Sequence, residues 1–190
     1  MNQEKRIKML EIEVNKLKRT VHELTELLTK EEKEKEKEKR PWKRNTVLNY
    51  MIKLVHPEIY CQIDNPKLGF SKNRRGIAQQ LSPGHFVFIY VTSPEKKIIG
   101  LTRVVSNLTF TEGKWPYSVD LEWIIPPKLG LSLRDLGLDM RPRPGDTIFG
   151  LTDEKAQEII GALNSQDDLD DSTLMYLNQK YSESEGVNET

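Results

Sequence analysis

The chain has 190 residues, 36% hydrophobic and 31% charged, and its 29 basic side chains are matched by 29 acidic ones. That length allows one globular domain plus appendages. The single cysteine, Cys61, excludes an intramolecular disulfide framework and a zinc cluster. No apolar run approaches the roughly 18 residues of a membrane span, and the charged N-terminus lacks an apolar signal region, so a soluble cytoplasmic protein is expected.

The zero net charge is a sum of unlike parts. Residues 1–40 carry 12 basic and 10 acidic side chains, residues 41–163 carry 16 and 12, and residues 164–190 carry 1 and 7. This divides the chain into an N-terminal charged segment (1–40), a mildly basic domain (41–163) and an acidic tail (164–190) expected to be largely disordered.

Residues 4–30 form a heptad pattern. Ile7, Val14, Val21 and Leu28 occupy position a, and Leu10, Leu17 and Leu24 occupy position d. β-Branched residues at a with leucine at d favour a parallel two-stranded coiled coil. Charges on the flanks agree: Arg6 can meet Glu11 of a second copy, and Glu13 can meet Lys18. A homodimer through residues 4–30 is therefore expected; the other reading is an amphipathic helix packed on the domain. The alternating Glu and Lys of 31–40 read as a solvated extension or spacer, which Pro41 stops.

Trp42, Lys43, Arg44 and Asn45 read as a basic, aromatic connector, with Trp42 tucked against the domain or the cluster touching a phosphate backbone. Residues 50–55 read as the first strand, and 60–63 as a short helix. Asp64-Asn65-Pro66 reads as a turn. Residues 73–81 read as a basic helical segment. Lys72, Arg74 and Arg75 crowd its start, where cations oppose the helix dipole and a nearby anion would relieve the repulsion. Ordinary surface charge is the alternative.

Residues 86–92 are β-branched and aromatic between Pro-Gly and Ser-Pro punctuation, which predicts a buried strand. A second strand returns over 98–105. Gly100 inside it marks a bulge or a close backbone approach. Residues 115–123 alternate, with Trp115, Tyr117, Val119, Leu121 and Trp123 on one face, and predict a third long strand. Residues 128–138 read as a loop with a short helix, and 141–146 as a rigid basic loop. Thr152 is placed to cap a helix over 153–163. In the tail, Leu174, Met175, Tyr176 and Leu177 could form a short docking helix.

The motifs of catalysis are missing. His22, His56 and His85 lack metal-ligand spacing. Ser71 and Ser82 lack a nucleophile elbow, and Gly69, Gly76 and Gly84 do not make a phosphate-cradling loop. A non-enzyme without cofactor or metal is expected.

The order of segments resembles the EVE domain, a member of the PUA-like superfamily that includes YTH domains. The features that carry it run over residues 46–163. They are the strand 50–55, Leu68-Gly69-Phe70, the basic segment 73–81, Pro83-Gly84, the strand 86–90, Ile99-Gly100 to Val105-Ser106, Trp115-Pro116-Tyr117, and Ile148-Phe149-Gly150-Leu151-Thr152 with the helix that follows. The sequence departs from the family's pattern at Ile59-Tyr60 and at Leu68, both where the family builds its pocket.

The resemblance implies an α+β fold, a PUA-like twisted barrel or sheet with flanking helices, here behind a coiled-coil helix. It also implies a non-catalytic reader that takes a modified, flipped-out nucleobase of DNA or RNA into an aromatic pocket. By position in the pattern the pocket would comprise Tyr60, Leu68, Gly69, Phe70, Ser71, Asn73 and Trp115. Lys72, Arg74, Arg75 and Arg143 would hold phosphates. Any cutting of nucleic acid would belong to a partner nuclease or other effector. Two other readings stay open: a coiled-coil scaffold for protein partners, and a PUA-like protein acting on structured RNA.

Overall fold

The computed structural model describes residues 3–38, 40–143 and 145–182. Within the first helix, side chains are described for Leu10 and residues 13–30. Ile7, the Arg6–Glu11 pair, Pro144 and the tail end 183–190 therefore lie outside the described residues. The chain separates into two compact units, Met1–Arg40 and Pro41–Thr190.

The first unit is one helix, α1 (Gln3–Glu38). The heptad residues whose side chains are described, Leu10, Val14, Leu17, Val21, Leu24 and Leu28, are between 47% and 62% exposed. A stripe of that spacing on a helix whose other faces are Lys and Glu is the seam of an amphipathic helix, and it lies open to solvent.

The second unit is the expected α+β architecture: a twisted mixed sheet with flanking helices. Its strands are β1 (Trp42–Arg44), β2 (Tyr50–Val55), β3 (Lys67–Phe70), β4 (Phe86–Val91), β5 (Lys97–Val104), β6 (Thr109–Phe110), β7 (Tyr117–Ile125), β8 (Leu131–Ser132) and β9 (Ile148–Leu151). The order across the sheet is β1-β9-β2-β4-β5-β7-β3, with β6 on β7 and β8 on β5. β2 and β4 are parallel, Tyr50 opposite Phe86 through Val55 opposite Val91, and every other pairing is antiparallel. A parallel pair needs a crossover. Here it carries a 3-10 turn at Pro57–Gln62, β3, and a 3-10 turn at Lys72–Arg74 that runs into the single helical turn α2 (Arg75–Ala78).

The period-two alternation of the strands fills two core layers, one on each face. Val87, Ile89 and Val91 of β4 join Met51, Ile99, Val119 and Leu121 beneath the crossover, where Leu68, Phe70, Ala78 and Leu81 pack. Phe88 and Tyr90 face the other way with Ile52, Ile98, Phe149 and Leu151, against Ala156, Ile159 and Leu163 of α3 (Asp153–Asn164). Thr152 caps α3, its hydroxyl accepting from the Lys155 amide at 3.4 Å. Gly100 is the site of a close approach: a side chain there would stand 2.7 Å from the Ile125 carbonyl across the β5–β7 register shift.

Several elements differ from the sequence expectation: the helical segment expected over 73–81 is a 3-10 turn and the single turn Arg75–Ala78, the strand expected from Trp115 begins at Tyr117, and the segment 128–138 holds strand β8. The basic connector is strand β1, and its Trp42 meets Phe149 edge-on at 5.6 Å. Leu68-Gly69-Phe70, which the sequence did not mark as a strand, is strand β3 on β7. The acidic tail is not uniformly unfolded, because Asp171–Ser182 forms helix α4. Leu177 and Tyr181 bury one side of α4 in the layer that holds Tyr60. The Tyr181 ring stacks on Tyr60 at 6.0 Å, and its hydroxyl donates to Glu95 at 2.6 Å. A negative net charge on the segment did not prevent this, since a spacing of four from Leu177 to Tyr181 puts both on one face.

Candidate ligand-binding cleft

The parallel pairing of β2 and β4 brings their C-terminal ends together. A cleft of about 1110 Å³ opens there. Gly69 of β3 with Trp115, the loop residues Arg141, Pro142, Arg143, Gly145 and Asp146, and the buried Lys53 and Ile59 all line it. Lys114, Lys67, Lys96, Arg141 and Arg143 also line it, against the carboxylates of Glu58 and Asp146.

Trp115 precedes β7 and is 54% exposed. Its position depends on Gly69. A Cβ at residue 69 would stand 2.9 Å from the Trp115 Cβ and 3.2 Å from its Cγ, so only glycine lets the indole base lie against β3. Lys114 Nζ sits 5.8 Å from the indole centroid, a distance at which a cation is attracted to the ring face.

The loop residues of the lining are held by contacts at Arg143, Gly145 and Asp146. Asp146 accepts a hydrogen bond from the Arg143 amide at 2.8 Å and pairs with Arg44 of β1. The Arg74 guanidinium donates to the Gly145 carbonyl. These contacts hold the loop while Arg143 remains exposed.

Lys53 is the residue that the sequence reading passed over. It lies in β2 opposite Ile89 of β4 and Ile148 of β9, and is 5% exposed. Its Nζ donates to the Leu54 carbonyl at 3.0 Å and sits 4.8 Å from the centroid of the Phe70 ring. Burial, and then the positive charge of Arg74, bring its pKa down to about 7. The signal was present: residues 51, 53 and 55 share a strand face, and a lysine between Met51 and Val55 is a charge on an inward face.

Of the pocket residues expected from the sequence, Gly69 and Trp115 line the cleft. Leu68 and Phe70 are fully buried, because the alternation of β3 turns both into the core layer. Phe70 reaches the cleft only as the ring behind Lys53. Tyr60 is covered by Tyr181, and burial, with Glu95 and Tyr181 adding, pushes its phenol well above the usual range. Ser71 is half-buried and Asn73 exposed, on the turn after β3 and outside the cleft lining. Of the expected phosphate contacts, Arg143 lines the cleft, Lys72 and Arg75 are exposed beside it in sequence but not in its lining, and Arg74 is engaged with Gly145.

No protein-family model matches this chain, and no curated protein matches it. Among solved structures, the chain is similar to the ASCH protein of Zymomonas mobilis, at 11% identity and TM-score 0.44 over 64% of this chain and 99% of that one. It is similar to a protein of Pseudomonas syringae at 16% identity and TM-score 0.46, over 60% and 99%. It is also similar to a YTH domain of Zygosaccharomyces rouxii, solved in complex with N6-methyladenosine RNA, at 14% identity and TM-score 0.46, over 65% and 93%. The EVE name is not among these. No helix among the described residues is long and apolar enough to cross a membrane.

Proposed function

We propose that the cleft is the ligand site of a non-catalytic nucleic-acid reader, in which an unstacked nucleobase lies on Trp115 and the cationic rim takes the backbone. The observation that carries this is a half-exposed indole, held by Gly69 at the lip of a cleft whose lining has more cations than carboxylates. An exposed tryptophan is ordinarily a poor use of apolar surface. Beside a cationic groove it supplies what single-stranded nucleic acid binds: a stacking face and counter-charge. Recognition of a modified base is supported by the ordered segments that resemble the EVE domain, and a methyl group would add about 0.8 kcal/mol per buried carbon.

The test is fluorescence anisotropy at fixed, moderate salt. Short DNA and RNA strands would carry methylated cytosine, hydroxymethylated cytosine, methylated adenine or no modification. A base stacked on an aromatic ring contributes roughly 1–3 kcal/mol, so Trp115→Ala is expected to weaken binding roughly five- to a hundredfold. A tenfold preference for one modified base identifies the ligand. Equal binding to everything reduces the reading to a basic surface, and unaltered affinity in Trp115→Ala removes the stacking site.

A second copy of the chain belongs to the same reading. The open heptad stripe of α1, with Glu13 and Lys18 placed to pair across the seam, supports a parallel dimer that presents two clefts.

A further inference from the structure

Lys53 buries its amine without a counter-ion among the described residues. Among the described residues, no carboxylate lies within ion-pair distance of its amine. Those in the cleft lining are engaged elsewhere, Glu58 with His56 at 3.2 Å and Asp146 with Arg44. An ammonium has three donors. One goes to the Leu54 carbonyl and the ring face of Phe70 receives the group as a whole, so donor capacity is left at the floor of the cleft. Arg74 adds a repulsive charge that its hydrogen bond to Gly145 holds in place. A buried ammonium in this condition is destabilising to the fold, and removing water from it without a partner is the largest part of that. A bound anion would answer both defects, supplying acceptors for the free donors and opposite charge to both cations.

We propose that the floor of the cleft is an oxyanion site, in which Lys53 takes phosphate oxygens of the bound nucleic acid while the base stacks at the lip. The inference rests on the cleft being the nucleic-acid site. It gives a phosphate contact to a buried lysine, whereas the sequence pattern had placed such contacts at Lys72, Arg74, Arg75 and Arg143. It also makes binding depend on the charge of one amine. Without ligand the amine is protonated below about pH 7 and neutral above. An anion beside it favours the charged form, so affinity rises as pH falls through that value. The other groups around the cleft that titrate or carry charge are His56, Glu58, Asp146, Arg74 and the rim cations.

The experiment uses the full chain, Lys53→Arg and Lys53→Met, at constant ionic strength. The probes are an oligonucleotide without a terminal phosphate, its 5′-phosphorylated twin, and inorganic phosphate. Phosphodiesters do not titrate between pH 6 and 8, so the wild-type protein is expected to bind the first strand about tenfold more tightly at pH 6 than at pH 8. Lys53→Arg keeps its charge throughout and retains His56. It is expected to bind with little change over that range, and Lys53→Met to bind weakly at both ends. NMR of the lysine side chains is expected to show the Lys53 pKa rising when ligand saturates the cleft.

A pH slope in Lys53→Arg equal to that of the wild type would show that the slope does not come from Lys53 and overturn the inference. So would a Lys53 pKa that saturating ligand leaves unmoved. A slope confined to the phosphorylated strand supports the site with a terminal phosphate as its source, and a slope with both strands supports it with the diester. If inorganic phosphate raises the Lys53 pKa while neither strand binds, the oxyanion site stands and the nucleic-acid reading falls.

Discussion

Gly69 and Trp115 act as one unit. Glycine in a strand gives up side-chain packing, and at residue 69 the vacated space is occupied by the Cβ and Cγ of Trp115. The indole is thereby seated by backbone, although its ring is open to solvent. Gly69→Ala would place a methyl 2.9 Å from the Trp115 Cβ, which the start of β7 must move to accommodate. The expected outcome is a loss of nucleic-acid affinity approaching that of Trp115→Ala, with a melting temperature lowered by only a few degrees, since about 1 kcal/mol moves a domain of this size by roughly 2–4 °C. Anisotropy and thermal melting of the same sample check it. Unaltered binding in Gly69→Ala would mean that the indole need not rest on β3 to work.

Among the elements, α4 was legible in the sequence only as a short helix at Leu174, Met175, Tyr176 and Leu177. Its composition is acidic and polar, and composition is what marks a segment as unable to bury enough surface to fold. The few apolar residues nonetheless share a face, and the sheet offers them Tyr60 and the 3-10 turn beside it. Leu177→Ala is expected to destabilise the protein by about 2 kcal/mol, the low end for a leucine because the helix lies at the edge of the core. Urea unfolding measures it, and no change would return the segment to a solvated tail. Strands β2 and β4 and helix α3 were legible for the opposite reason. Each is long enough for its period to show, and each is bounded by proline, glycine or a threonine cap. β1 and β3 have three and four residues, too few for a period, and exist because β9 and β7 present edges to them. The same limit governs the site. The family resemblance placed Gly69, Trp115, Leu68 and Phe70 together in the pocket, and four residues of β3 were too few to say that alternation sends Leu68 and Phe70 inward. The lysine inside β2 was visible as an exception to the pattern, but its meaning depends on which carboxylates are near, and those come from distant parts of the chain.

At the scale of the whole molecule, the two units solve different problems. The sheet builds one cleft, and one stacked base with a few phosphate contacts gives modest affinity that salt erodes. The helix α1 exposes a regular apolar stripe, which the proposed second copy would cover by the simplest symmetric arrangement. Linking two clefts in one particle makes the second binding event intramolecular, which raises apparent affinity by about 10²–10⁴ wherever both can be reached on one strand. Leu17→Asp with Leu24→Asp puts charges in the seam and leaves the cleft untouched. Light scattering is expected to give twice the chain mass for the wild-type protein and the single mass for this variant. Affinity for a strand carrying one site should be the same in both, whereas a strand with two well-spaced sites should bind the variant at least tenfold more weakly. If both proteins scatter as monomers, the stripe serves another partner. If the wild type is a dimer but gains nothing on two sites, its clefts do not reach one strand, and the helix joins the chains for some purpose other than avidity.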